Sequence, residues 1–397
     1  MTENTTAREA RELLPRIIEW RRTLHACPEL LMDTPVTAGH IERFLREIGI
    51  TEIRTGVGGN GVVAVIRGGK PGKTLGLRAD CDALGFAEET GLPFASTNGN
   101  CHACGHDAHT AMALGAAKIL FDRRAELEGN VKLIFQPFEE GGGQGARMMI
   151  EDGALENPAI DAVIGLHTGS LFSGFKPGEI GYRPGVINAN SDKMRIVFHG
   201  RGGHGSTPHL TVDPIVMAVQ AISQLQTIVS RNVNPFDTGV VSVTRISGGV
   251  NHNVIPERCE LEGTIRSFAP EVRDLLLRRI REICVSVAEG MGGSVDVDIV
   301  SGLKSMNNDP GLTGILKNVS EAVVGREMTR LIEQPGTWGE DMFRYFEHAP
   351  GVYFFHSSIF GDPEKDFPHH HPKFTVNEDT LWSGSAILAE FALTWQQ

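Results

Sequence analysis

The sequence has no run of about 18 consecutive apolar residues, the length a helix needs to cross a bilayer, so no membrane span is predicted. Its opening, MTENTTAREARELLPRIIEW, is polar and lacks the apolar core of a signal peptide, and a cytoplasmic location is expected. Basic residues are in the minority: 37 Lys and Arg stand against 49 Asp and Glu, for a net charge of −12. That balance excludes the electropositive footprint of a nucleic-acid-binding protein and favours solubility. Cysteine is scarce too. The six are Cys27, Cys81, Cys101, Cys104, Cys259 and Cys284, and four of them are scattered with no framework spacing. A disulfide scaffold is therefore not expected, and the thiols read as free or metal-bound in a reducing compartment. No internal repeat or low-complexity tract is present beyond three consecutive His at 369–371.

At 397 residues, 41% hydrophobic and 22% charged, the chain has ample material for a core but exceeds one ordinary domain, and two domains are expected. Residues 7–49 carry two helical apolar faces: Leu13, Leu14, Ile17, Ile18 and Leu24, then Ile41, Phe44, Leu45 and Ile48. Apolar runs follow, GVVAVIRGG, TLGLRAD, VKLIFQP, DAVIGLH and, near residue 351, GVYFFH. A helix is predicted over about 110–124. Continuous apolar runs alternating with helices predict an α/β sheet with helices on both faces.

From about 191 to 303 the pattern changes to strand, helix, strand, strand, helix, strand, the βαββαβ order of a ferredoxin-like domain. The first of these helices opens at Asp213 with Pro214 in the first helical position. Because strand-ending His residues recur on both sides of this segment, it reads as an insertion. The expected organisation is a catalytic domain in two parts, 1–190 and 304–397, interrupted by a lid or dimerisation domain at 191–303.

Four apolar runs end in an acid or a His: Asp80 and Asp82, Glu139 and Glu140, His167, and His356. Ligands of open α/β sheets bind beyond the carboxyl ends of the strands, so four such ends together predict a site. The stretch CHACGHDAHT adds Cys and His ligands. One structural zinc wholly inside it is disfavoured, because structural sites usually draw their pairs from two separated segments. In FQPFEEGGGQGA, an acidic pair leaves a buried strand, where one carboxylate must find a cation or a proton. The candidate ligands are Cys104, His106, one of Glu139 and Glu140, His167, and one of the three late His. Five ligands of mixed S, N and O type suit two close divalent ions, zinc or manganese, with cobalt or nickel as alternatives. The remaining Glu is then free to serve as a general base in metal-assisted hydrolysis.

In order along the chain, CHACGHDAHTAMALGAAK, LIFQPFEEGGGQGA, GRGGHGSTPH, NVIPERCELEGTIRSF and HHPKF resemble the hippurate hydrolase and auxin-amide hydrolase branch of the aminoacylase/carboxypeptidase metallopeptidase family. The resemblance runs from about residue 15 to 393. It implies an α/β catalytic domain interrupted by a ferredoxin-like lid, two divalent ions per subunit, and hydrolysis of the amide bond of an N-acyl amino acid. It makes Cys104, His106, Glu140, His167 and His370 the metal ligands and Glu139 the base. His370 is singled out because the family ligand lies two residues before a Pro, here Pro372. His204 of GGHG falls on a lid His that stabilises the oxyanion, often from a partner subunit of a homodimer. Asp82 falls on an Asp that orients a ligand, and Asn253 on a substrate contact. Arg266 or Asn253 could supply the donor that a substrate carboxylate needs. The chain departs from the pattern twice. Gly85 and Phe86 follow Ala83-Leu84 where the family reads ALP, and Thr168-Gly169-Ser170 follow His167 where the family has a Pro a few residues on.

The alternatives within the same scaffold are a dipeptidase or carboxypeptidase and a metal-dependent deaminase. One of another class is a non-catalytic metal-binding dimerisation protein, which would have little use for Glu139 or His204.

Overall fold

The computed structural model describes residues 4–396, which divide into two compact units. The first comprises residues 4–187, 306–336 and 340–396, and the second Asn188–Ser305 and Thr337–Gly339.

The first unit is built on an eight-stranded sheet. Its order is Ile53–Val57, Gly61–Arg67, Glu128–Gln136, Lys70–Asp80, Ala162–Gly169, Gly351–Ser357, Ile180–Tyr182, Thr329–Leu331. The four central strands are mutually parallel, and Gly61–Arg67 and Ile180–Tyr182 join them antiparallel on either side. Their side chains alternate as a pleated strand requires. Leu75, Leu77 and Ala79, with Val131, Leu133 and Phe135 on the neighbouring strand, enter one large apolar core. The helices Thr5–His25, Pro35–Ile48, His106–Asp122, Pro310–Val324 and Leu381–Thr394 share that core. Arg78 and Gln136, on the alternate positions, face the other side, where Met149 of helix Gly145–Glu151 and Tyr345 of the short helix Phe343–Phe346 pack. Such runs are apolar throughout because both faces are covered.

Because the four central strands are parallel, their carboxyl ends lie along one edge. The chain leaves Lys70–Asp80 for a strand on one side and later returns to the other side at Ala162–Gly169. The crevice at that reversal is where open α/β sheets bind ligands.

The second unit holds a four-stranded antiparallel sheet in the order Gly239–Gly248, Arg258–Ser267, Asn190–His199, Ser294–Leu303. Helices Pro214–Arg231 and Pro270–Gly290 share its separate apolar core. The Asp213 carboxylate caps the first of these, accepting the Ile215 N–H at 2.9 Å, a contact worth about 1 kcal/mol. Strand order and connections are those of a ferredoxin-like fold.

Candidate metal centre

Cys104 and His106 sit where the chain turns into helix His106–Asp122. Gly105 takes the left-handed φ of 86° that this turn demands, a conformation costly for other residues. His106 is fully buried, and its Nδ1 donates to the Asp82 carbonyl at 3.0 Å. That bond fixes a proton on Nδ1 and turns Nε2 inward. Burial lowers this imidazole, but Asp80 and Cys104 raise it well above its usual range, so a cation at Nε2 would take the place of a proton. His167, in strand Ala162–Gly169, repeats the device: its Nδ1 donates to the Thr168 carbonyl at 2.8 Å, and its Nε2 lies 3.5 Å from Cys104 Sγ.

Glu139 and Glu140 follow the neighbouring strand. Asp82 accepts both of their backbone N–H groups, Glu139 on Oδ1 at 3.1 Å and Glu140 on Oδ2 at 3.0 Å. Glu140 Oε1 then lies 3.1 Å from His370 Nε2. Donor atoms of Cys104, His106 and Glu140 all fall within 4.8 Å of one another. Five side chains from four distant segments thus converge.

These residues fit a divalent cation pair. His106 Nε2 is buried without a protein hydrogen bond, and such atoms are rare unless something else satisfies them. The set of one S, three N and one carboxylate donor is typical of zinc or a neighbouring transition metal.

The electrostatics point the same way. Burial pushes the Cys104 thiol up to about 12, so only a cation or a stronger neighbouring positive charge releases its proton. Burial, then His109 and His369, hold the His167 imidazole well below its usual range, keeping it a neutral ligand. Glu139 moves the opposite way for a carboxyl. Burial, then the carboxylates of Glu340, Glu140 and Asp341, raise it well above the ordinary value. Groups displaced this far mark functional sites more often than structural ones.

Glu340, Asp341 and Arg78 were not anticipated from sequence. Oxygens of Glu139, Glu340 and Asp341 lie within 4.8 Å of one another. Arg78, buried on the strand that leads to Asp82, pairs with Asp80, Glu340 and Asp341 at 2.8, 3.1 and 3.0 Å. Asp341 also accepts the Ala146 N–H at 2.9 Å and Gln136 Nε2 at 2.8 Å. A clue was available: Glu340-Asp341 is a second adjacent acid pair, and Arg78 interrupts an otherwise apolar run.

Not every strand-end residue joins the cluster. His356 turns into the core, where it meets Thr168 Oγ1 at 2.8 Å and the Thr380 carbonyl at 3.0 Å, and burial lowers it to about 4. The strand-end pattern that included it is corrected here: an inward-facing position placed it under the sheet. Asp80 pairs with Arg78 and, at 2.5 Å, with His109 Nδ1. His109 Nε2 in turn accepts the Thr168 N–H at 2.8 Å, so that ring is spent on structure. Cys101 is buried and pairs by backbone with Leu84.

In the second unit, His204 is exposed and pairs in a short ladder with Val254, and the Gly205 N–H donates to the Asn253 carbonyl at 2.8 Å. His204 and Asn253 therefore lie on adjoining segments. Arg266 does not join them. It sits toward the far end of strand Arg258–Ser267, eight residues and roughly 27 Å from Arg258 where the Asn253 loop arrives, and its guanidinium is used by Thr264 Oγ1 and the Ile265 carbonyl.

A family model described as peptidase family M20/M25/M40 matches residues 76–394. N-acetyl-L-cysteine deacetylase of Bacillus subtilis is 40% identical over 382 residues, covering 95% of this chain and 87% of that protein. Thermostable carboxypeptidase 1 of Saccharolobus solfataricus is 37% identical over 389 residues, covering 97% of this chain and 96% of that one. Among solved structures, the YXEP protein of Bacillus subtilis, described as a dinuclear metal binding peptidase from the M20 family, superposes with a TM-score of 0.83. It shares 35% identity over 96% of this chain and 98% of its own.

Proposed function

The chain belongs to peptidase family M20/M25/M40, a family of hydrolases acting on amide and peptide bonds, and from that premise we propose that it cleaves N-acyl amino acids into a carboxylate and a free amino acid. Cys104, His106, Glu140, His167 and His370 hold two divalent ions, and Glu139 is the general base. The observation that carries this reading is Glu139 itself, a buried carboxyl of raised pKa directly beside a ligand carboxylate, where a purely metal-storing site would not need one.

When bound, the ions supply Lewis acidity, polarising the scissile carbonyl and making the attacking water easier to deprotonate. Glu139 takes a proton from that water as its oxygen adds to the carbonyl carbon. As the C–N bond breaks, Glu139 returns the proton to the departing amine nitrogen. A carboxyl raised above its ordinary value is suited to both halves, since it can accept the proton and hold it until the amine needs it. His204 donates to the oxyanion that forms at the carbonyl oxygen, and Asn253 contacts the substrate. His204 belongs to the second unit, and in a homodimer it would act either from its own chain or from the partner subunit.

The deacetylase relatives support an N-acyl substrate, and the carboxypeptidase relative keeps short peptides as a second reading. Release of free amine from N-acetyl, N-benzoyl and longer N-acyl amino acids and from dipeptides, with zinc, manganese or cobalt added to metal-free protein, separates the two. Faster turnover of N-acyl amino acids upholds the proposal. Turnover of dipeptides alone replaces it with a peptidase.

A further inference from the structure

His369 precedes a proposed ligand yet has no part in the reaction described above. We propose that it is a positioning residue: an imidazole clamp holding the end of the His167 strand to the loop of Cys104 and His106, a role that rests on the metal centre proposed above.

Its two ring nitrogens are committed differently. The Ser170 backbone N–H donates to Nε2 at 3.0 Å, so Nε2 carries the lone pair and the proton sits on Nδ1. Nδ1 is out of water and closes no hydrogen bond. A ring nitrogen of His369, a ring nitrogen of His167 and Cys104 Sγ lie within 4.8 Å of one another. The ring stands edge-on to His167 at 5.1 Å and rests against Phe374 at 4.5 Å. The next residue is fastened to the same loop, with the His370 N–H donating to the Ala103 carbonyl at 2.9 Å.

Two neighbours make room for the ring. Gly169 has a φ of 115°, and a Cβ there would come within 2.3 Å of His369 Nε2. Residue 170 must supply an N–H, which proline lacks. Gly169 admits the ring, and Ser170 binds it. With Nε2 taken by Ser170 and a proton on Nδ1, the ring has no lone pair to give a cation. It acts by holding Cys104 and His167 at 3.5 Å before any cation arrives.

The test compares zinc affinity, by chelator competition, in the parent and in His369→Phe, His369→Gln and Ser170→Pro, with imidazole nitrogen NMR on the metal-free parent. His369→Phe fills the space but loses the Ser170 N–H contact. A roughly 10–100-fold loss of zinc affinity is expected, as for other groups that orient metal ligands. His369→Gln, whose Oε1 can accept the Ser170 N–H, is expected to regain most of it. Ser170→Pro should match His369→Phe, and the double variant should be little worse than either. Should Ser170→Pro fail to fold, Gly169→Ala perturbs the same contact. Zinc affinity of His369→Phe within about threefold of the parent overturns the clamp, as does a Gln variant no better than Phe. NMR should show the proton on Nδ1, and a proton on Nε2 likewise overturns it. A parent that holds no zinc contradicts the metal centre itself, and the NMR result still decides the clamp.

Discussion

Glu139 donates its backbone N–H to Asp82 Oδ1 at 3.1 Å. The other oxygen of Asp82 takes the Glu140 N–H, and His106 Nδ1 lies 3.4 Å from Oδ1. One buried carboxylate therefore orients the proposed base, a proposed ligand carboxylate and a proposed ligand imidazole. Asp82→Ala should lower metal retention and turnover together, each by about 10–100-fold. Turnover lost with metal content intact would assign Asp82 to the chemistry alone.

Cys104→Ala should reduce bound metal, because Cys104 Sγ faces His167 Nε2 across 3.5 Å and no other described thiol joins a candidate ligand group. Elemental analysis after gel filtration measures it. Metal content equal to the parent's would remove Cys104 from the ligand set.

The helix that begins at His106 is anchored from beneath. Asp107 accepts from Arg21 Nε and His25 Nδ1, both at 2.7 Å, and all three side chains are buried. Burial alone would raise the Asp107 carboxyl, but Arg21 and His25 bring it well below its ordinary value. Removing one partner of such a pair costs about 3–5 kcal/mol, so Asp107→Ala should lose that much in urea unfolding. The sign with pH follows from a depressed carboxylate. The contribution is complete above the unfolded value of about 3.9 and is lost as pH falls below it toward the folded value. The variant and parent should converge in acid, and a constant gap would contradict the pairing.

The site was legible where chemistry is local in sequence. Cys104, His106, Glu139 and Glu140 stand in short motifs, and the apolar runs before and after them read directly as buried strands. Asp213-Pro214 announced its helix in the same way. What was hidden depends on contacts between distant segments. Arg78 meets Asp341 across 263 residues, and Arg21 meets Asp107 across 86. His356 ends an apolar strand just as His167 does, and only the alternation of faces within the folded sheet sends one into the core and the other into the cluster. His369 and His370 are neighbours with the same side chain, and a left-handed φ of 64° at His370 separates their directions.

Lys132 gives a second test of burial. It lies on the sheet face opposite Val131 and Leu133, with Nζ 2.5 Å from the Glu156 carbonyl. Burial, then Arg54 and Arg67, lower it from 10.5 to about 8. Below about pH 8 both folded and unfolded chains hold the proton and the cost is complete. Between about 8 and 10.5 the unfolded chain binds more protons, so stability contributed at this position rises with pH. The stability difference between Lys132→Met and the parent should therefore shift against the variant across that window. A difference that does not change with pH would mean Lys132 is not held in its lowered state.

The measurement that bears most directly on the account is amine release from an N-acyl amino acid by the parent and by Glu139→Gln, with metal content determined in the same samples. The account predicts equal metal in both proteins, with turnover of the variant lower by about 10²–10⁴-fold. A metal-loaded Glu139→Gln variant whose turnover stays within a few-fold of the parent would contradict it.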